Sequence, residues 1–173
     1  NADAAVNYGA IGAVIGHEMS HHFDDQGAKF DAEGKLTKWW SDADVTAFKA
    51  LTDKLVAEYD AYEPLPGMHV NGRLTLGENT ADLAGLAAAL DAYHASLGGK
   101  PAPVIDGFTG DQRFFMGWGQ VWRTLWRDDA LRQQLVNGTH SPGHIRAFAP
   151  LRNIDAWYDA FAIQPGDPLY IAP

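Results

Sequence analysis

Cysteine is absent from the 173 residues. That removes disulfides, thiolate catalysis and cysteine-built zinc or iron sites together, although it does not by itself fix the compartment. Any metal ligands must therefore be His, Asp or Glu. Positive charge is scarce: 13 Lys and Arg stand against 22 Asp and Glu, a net charge of -9. Such a balance repels phosphate backbones and anionic lipid surfaces, which excludes nucleic acid as a natural partner. Long hydrophobic runs are missing too. The longest, Gly9 to Gly16 and Ala84 to Leu90, fall far short of the ~20 residues that span a bilayer, so a soluble chain with no membrane-spanning segment is expected. No basic leader precedes Asn1, so targeting information is either absent or already removed. What remains is ordinary for a globular domain: 46% apolar and 20% charged residues, long enough to bury a core.

The first segment, Ala4 to Asp24, carries Val6, Ile11, Val14, Ile15, Met19 and Phe23 on helical spacing. Gly9, Gly12 and Gly16 weaken that helix and suggest a face pressed against another backbone. Gln26 to Lys38 reads as loop, after which Ser41 caps a helix running to about Tyr62, with Asp44 completing a capping box. Pro64, Pro66 and Gly67 break the chain, and Met68 to Leu76 is expected to hold one or two short strands around Asn71-Gly72. A third helix runs from about Gly77 to Leu97 and ends at Gly98-Gly99. A linker, Lys100 to Thr109, leads to a helix from Asp111 to Arg127, whose stripe of Phe115, Trp118, Trp122, Leu125 and Trp126 reads as core. Short helices around Ala130 to Val136 and Asn153 to Phe161 flank the turn His140-Ser141-Pro142-Gly143. The pattern predicts one mainly helical domain.

His17-Glu18-Met19-Ser20-His21 is an HExxH motif inside the segment already read as helical. Four residues advance a helix by about one turn, ~6 Å, so His17 and His21 stack on one face and can share a zinc ion. Glu18 lies one step along the same turn, where a general base would stand beside the open coordination position. The competing reading is a chance HExxH on an exposed helix with both histidines solvated. Two histidines leave a catalytic zinc one protein ligand short. Glu78-Asn79-Thr80-Ala81-Asp82 can supply it: Glu78 and Asp82 are four apart at a helix start, so one carboxylate can ligate while the other accepts a hydrogen bond from a ligating imidazole. Acidic residues at a helix start also have an ordinary use against the dipole.

HExxH followed 57 residues later by Glu-Asn-x-Ala-Asp resembles the neprilysin-like (M13) zinc metallopeptidases, and among them the bacterial oligopeptidase O-like members. Asn7-Tyr8-Gly9-Ala10-Ile11-Gly12, Phe23-Asp24-Asp25-Gln26-Gly27, Trp39-Trp40, Leu74-Thr75-Leu76-Gly77 and His140-Ser141-Pro142-Gly143 resemble that family's blocks in the same order, over essentially the whole chain. The resemblance implies a zincin-like fold with few strands and one zinc per chain on His17, His21 and Glu78. It also implies Glu18 as general base, Asp82 as partner of a ligating His, His140 steadying the oxyanion and Arg146 contacting substrate. Hydrolysis of oligopeptides by a zinc-activated water follows from that set. His144 competes with His140 on position alone. His22 is turned ~100° from His21 and should miss the metal. His69 and His94 read as surface residues. Asp24, one turn after His21, is left open between an imidazole, Arg146 and a purely structural role at the Asp-Asp-Gln-Gly turn, and stays outside the catalytic set.

Members of the family are several times longer, so the resemblance implies a single C-terminal catalytic domain, residues 1–173, cut at both ends. A helical N-terminal domain of the same protein would then be its partner, beside peptide substrates. The missing cysteines depart from the disulfide-bonded vertebrate members and point to an exported bacterial relative, hence a periplasmic or otherwise extracytoplasmic location. The alternative function is a non-catalytic helical zinc-binding or scaffold domain, inactive as an isolated piece. The two differ in what Glu18→Gln and Glu78→Ala should do to cleavage and zinc content.

Overall fold

The structure, a computed structural model, describes residues 3–171. Helix α1 (Ala4–Asn7), a π segment (Tyr8–Gly12) and α2 (Ala13–Ser20) continue one another as a single right-handed rod, with Tyr8 at φ -65, ψ -41 and Ala13 at φ -63, ψ -37. A 3-10 turn over His21–Phe23 follows, and Asp24 ends the rod in an extended conformation. The remaining α-helices among the described residues are α3 (Asp42–Asp60), α4 (Leu76–Ser96), α5 (Gly110–Val121), α6 (Asp128–Asn137), α7 (Gly143–Arg146) and α8 (Asp155–Phe161). Ser41 and Asp44 form the expected capping box of α3, and Thr109 with Gln112 forms another on α5. Each such cap satisfies backbone N–H groups that the helix start would otherwise leave unpaired.

The rod and α4 cross so closely that only glycine fits. A Cβ on Gly16 would stand 2.7 Å from Gly85 O, and one on Gly85 would collide with His17 N. Gly16 thus marks a backbone-to-backbone contact that carries His17 to α4, and Gly9 marks another, against Phe114 of α5. Two cores then gather about α4. Its C-terminal half, through Leu86, Leu90 and Tyr93, packs with Phe114, Trp118 and Trp157. Its first residue, Leu76, packs with Val56, Tyr59 and Ile145. Full burial of such side chains contributes about 1.5–3 kcal/mol each.

Two sequence expectations need correction. Met68 to Leu76 forms no strand; the Leu65↔Met68 bridge is isolated, like the others among the described residues. The Asn71 carboxamide instead accepts the Leu74 N–H at 2.9 Å, and Asn71 O accepts the Thr75 N–H at 3.0 Å, turning the chain into α4. An Asx-type turn satisfies the backbone locally and needs no partner strand. The helix read as Asp111 to Arg127 stops at Val121. Beyond it Thr124 N bonds to Trp122 O at 2.7 Å, leaving Leu125 fully exposed and Trp126 44% exposed. Only the first part of that aromatic stripe is core.

The apolar periodicity of the first segment has a second consequence. Ile11, Ile15, Met19 and Phe23, four residues apart, all lie more than half exposed. Ala5, Gly9 and Ala13 of the rod face inward while these four form an uncovered apolar face, the reverse of an ordinary surface helix. No helix among the described residues is long and apolar enough to cross a membrane.

Candidate metal centre

Helix α2 sets His17 and the following turn sets His21, one above the other, with ring centroids 4.6 Å apart. The close crossing with α4 brings Glu78, in the first turn of that helix, against both rings. His17 Nε2 lies 3.2 Å from Glu78 Oε2, and His21 Nε2 lies 3.8 Å from Glu78 Oε1. One donor atom from each of the three falls within 4.8 Å of the others.

The opposite nitrogen of each ring is already engaged. His17 Nδ1 donates to Asp82 Oδ1 at 2.8 Å, and His21 Nδ1 donates to Asp24 Oδ2 at 2.7 Å. A carboxylate on Nδ1 fixes the tautomer whose lone pair is on Nε2, the form a metal requires. Glu78 Oε2 is buried without an aligned hydrogen bond, despite having imidazole nitrogens nearby. A buried carboxylate oxygen left in this state, between two imidazoles oriented for ligation, fits a divalent cation with nitrogen and oxygen preferences such as zinc.

Without a metal the cluster is an ion pair, with a proton on His17 Nε2 facing Glu78 that a bound cation would displace. Burial alone would depress the His17 pKa, but the carboxylates of Asp82 and Glu78 outweigh it and raise it to about 9. For Glu78 burial acts to raise the pKa, and the adjoining His17, His140 and His21 outweigh it, leaving it lowered. Glu78 is thereby held as the anion.

Three further residues surround this cluster. Glu18, exposed, lines a cavity of about 140 Å³ together with His17, Asp82, His140 and Arg146. His140, and not its rival His144, reaches Glu78, with Nε2 3.0 Å from Oε2. Arg146 is buried and forked onto Asp82, Nε to Oδ2 at 2.7 Å and Nη2 to Oδ1 at 2.6 Å. Its guanidinium lies 3.8 Å from the centroid of the Trp122 ring, and its carbonyl accepts the Trp118 Nε1–H at 2.8 Å. Asp82 thus serves His17 and Arg146 at once. His22 packs on Phe23 and Trp39 instead of the cluster. His69 and His94 are exposed, bonded to Asp60 O and Asp111 Oδ1.

Sequence reasoning left two contributors unassigned. Asp24 bonds His21 and not Arg146, while its Oδ1 accepts the N–H groups of Gln26 and Gly27 at 2.8 and 2.7 Å. The signal was present in an aspartate three residues after the second histidine, opening a polar turn. Trp122 had only the aromatic stripe to mark it, and nothing in that stripe told a core residue from one stacked on an arginine.

The helical fold, the two histidines one turn apart and the glutamate from a crossing helix define the architecture of a zincin. More narrowly, the chain belongs to peptidase family M13, whose profile matches residues 1–173. It is 40% identical over 168 residues to endothelin-converting enzyme 1 of Homo sapiens, covering 95% of this chain and 22% of that enzyme. Neprilysin-11 of Caenorhabditis elegans is 40% identical over 162 residues, 91% of this chain and 19% of the relative. Among solved structures, inhibitor-bound zinc metalloprotease Zmp1 of Mycobacterium tuberculosis superposes with a TM-score of 0.97 at 52% identity, over 99% of this chain and 27% of that one. PepO from Lactobacillus rhamnosis HN001 gives 0.87 at 40% identity, over 100% of this chain and 26% of that one. The chain therefore spans about a fifth to a quarter of the length of these relatives.

Proposed function

We propose that this chain is the zinc-binding catalytic domain of a metalloendopeptidase that cleaves oligopeptides. The observation that carries the reading is the convergence of His17, His21 and Glu78, with both Nδ1 atoms held by carboxylates and Glu18 on the wall of the adjoining cavity. His17, His21 and Glu78 would hold one zinc ion. Bound there, zinc would polarise a peptide carbonyl and acidify a water molecule.

The remaining work belongs to side chains. Glu18 accepts the proton of the attacking water and passes it to the departing amine, a role open to a carboxylate that faces the cavity. His140 donates its Nε2–H to the oxygen on which negative charge develops. Asp82 orients His17 through Nδ1, and Arg146, held by Asp82 and Trp122, presents its guanidinium at the cavity to the substrate backbone. The relatives' greater length supports a further N-terminal domain enclosing the site, and an extracytoplasmic location belongs to the same proposal.

The test is mass-spectrometric detection of cleavage in a mixed peptide pool by the zinc-loaded chain, with Glu18→Gln as matched control. Removal of the base should lower the rate by about 10²–10⁴-fold while zinc stoichiometry stays at one. Equal cleavage by the variant would refute the assignment of Glu18. Absence of cleavage by both, with zinc bound, would favour a zinc-binding domain that is inactive by itself.

A further inference from the structure

Beside the metal cluster runs a chain of hydrogen bonds through side chains that the mechanism above does not use. Ser141 Oγ donates to Asn79 Oδ1 at 2.8 Å, Asn79 Nδ2 donates to Thr75 Oγ1 at 2.9 Å, and Thr75 Oγ1 donates to Asn71 O at 3.0 Å. Ser141, Asn79 and Thr75 are all buried, at 3%, 1% and 3% exposure. Loss of any link would strand a polar atom away from water.

Two of its members adjoin site residues in the sequence: Asn79 follows Glu78, and Ser141 follows His140. Their hydrogen bond therefore ties the loop bearing His140 to the first turn of α4. The His140 side chain is itself 50% exposed, so packing does not hold it. Gln134 Nε2 steadies the other side of the loop by donating to His140 O at 2.6 Å.

We propose that Ser141 and Asn79 are positioning residues that keep His140 in register with Glu78 and with the cavity lined by Glu18. Anchoring the next residue of an exposed histidine removes the freedom of its loop and leaves only the side-chain torsions to be set. An oxyanion donor displaced by about 1 Å costs on the order of 100-fold in rate, so the register is functionally steep. The inference rests on the peptidase reading of His140.

Ser141→Ala in the zinc-loaded chain should leave zinc affinity within about threefold and lower kcat by roughly 10- to 100-fold with little change in KM. Introduced into a His140→Ala background, the same change should cost nothing further, because the pin acts only through that imidazole. Ser141→Cys, close in size and a weak donor, should recover part of the loss and separates pinning from misfolding. An unchanged kcat, or a loss as large without His140 as with it, overturns the proposal. If the parent chain cleaves no peptide, the peptidase reading is what has failed, and hydrogen exchange then decides the positioning claim. Ser141→Ala should speed exchange of the Thr139 to Ser141 amides by about tenfold or more with α4 unaffected, and unchanged loop exchange overturns it.

Discussion

Each of the two stacked histidines spends one ring nitrogen on a carboxylate and turns the other toward Glu78. Asp24 performs this service for His21 with one oxygen while its second oxygen holds the backbone of Gln26 and Gly27. Asp24→Asn can separate these roles, since the amide oxygen still accepts from the backbone while the amide nitrogen meets His21 Nδ1–H as a second donor. The variant should fold normally yet bind zinc about 10- to 100-fold more weakly, as read by competition with a chromogenic chelator. How much of the site could be read in advance varies residue by residue. Helical spacing pairs His17 with His21 and Glu78 with Asp82, but only the family resemblance gave Glu78 and Asp82 their separate roles. The partners of Asp24, Arg146 and Trp122 were not legible, because they depend on turn conformation and on which side chains a distant segment presents.

Between elements, the decisive contact is the crossing of α2 and α4 at Gly16 and Gly85. Gly85→Ala would push a methyl group into the backbone of His17, so the helices must separate exactly where the ligands converge. About 3 kcal/mol of stability should be lost on urea denaturation, and zinc stoichiometry should fall below one per chain. The helices themselves were legible from periodicity and caps, as the Ser41 and Asp44 box illustrates. Met68 to Leu76 and the end of α5 were not. Alternating residues around Asn71 suggest strands, but the Asn71 side chain closes a turn first. Arg123 and Thr124 carry no helix-stop signal, yet Trp122 leaves helical geometry at φ -96, ψ 13, with its ring beneath Arg146.

At the scale of the molecule, α4 contributes to both hydrophobic clusters and carries Glu78 and Asp82 between them. A metal ion joining His21 to Glu78 closes a long loop across that framework and binds the folded chain in preference to the unfolded one. Zinc at a hundred times its dissociation constant adds about 2.7 kcal/mol. Removing it with a chelator should therefore lower Tm by roughly 5–10 °C in a melt followed by circular dichroism, reversed by restoring zinc. An unchanged Tm would show that the three ligands do not hold the ion together. Because α4 belongs to both clusters, neither can loosen without disturbing Glu78 and Asp82. If His17, His21 and Glu78 hold zinc as proposed, the metal content of a variant, however remote its substitution, becomes a measure of how well its interior is assembled, and a colorimetric metal assay would rank a whole library for folding before a single peptide is cut.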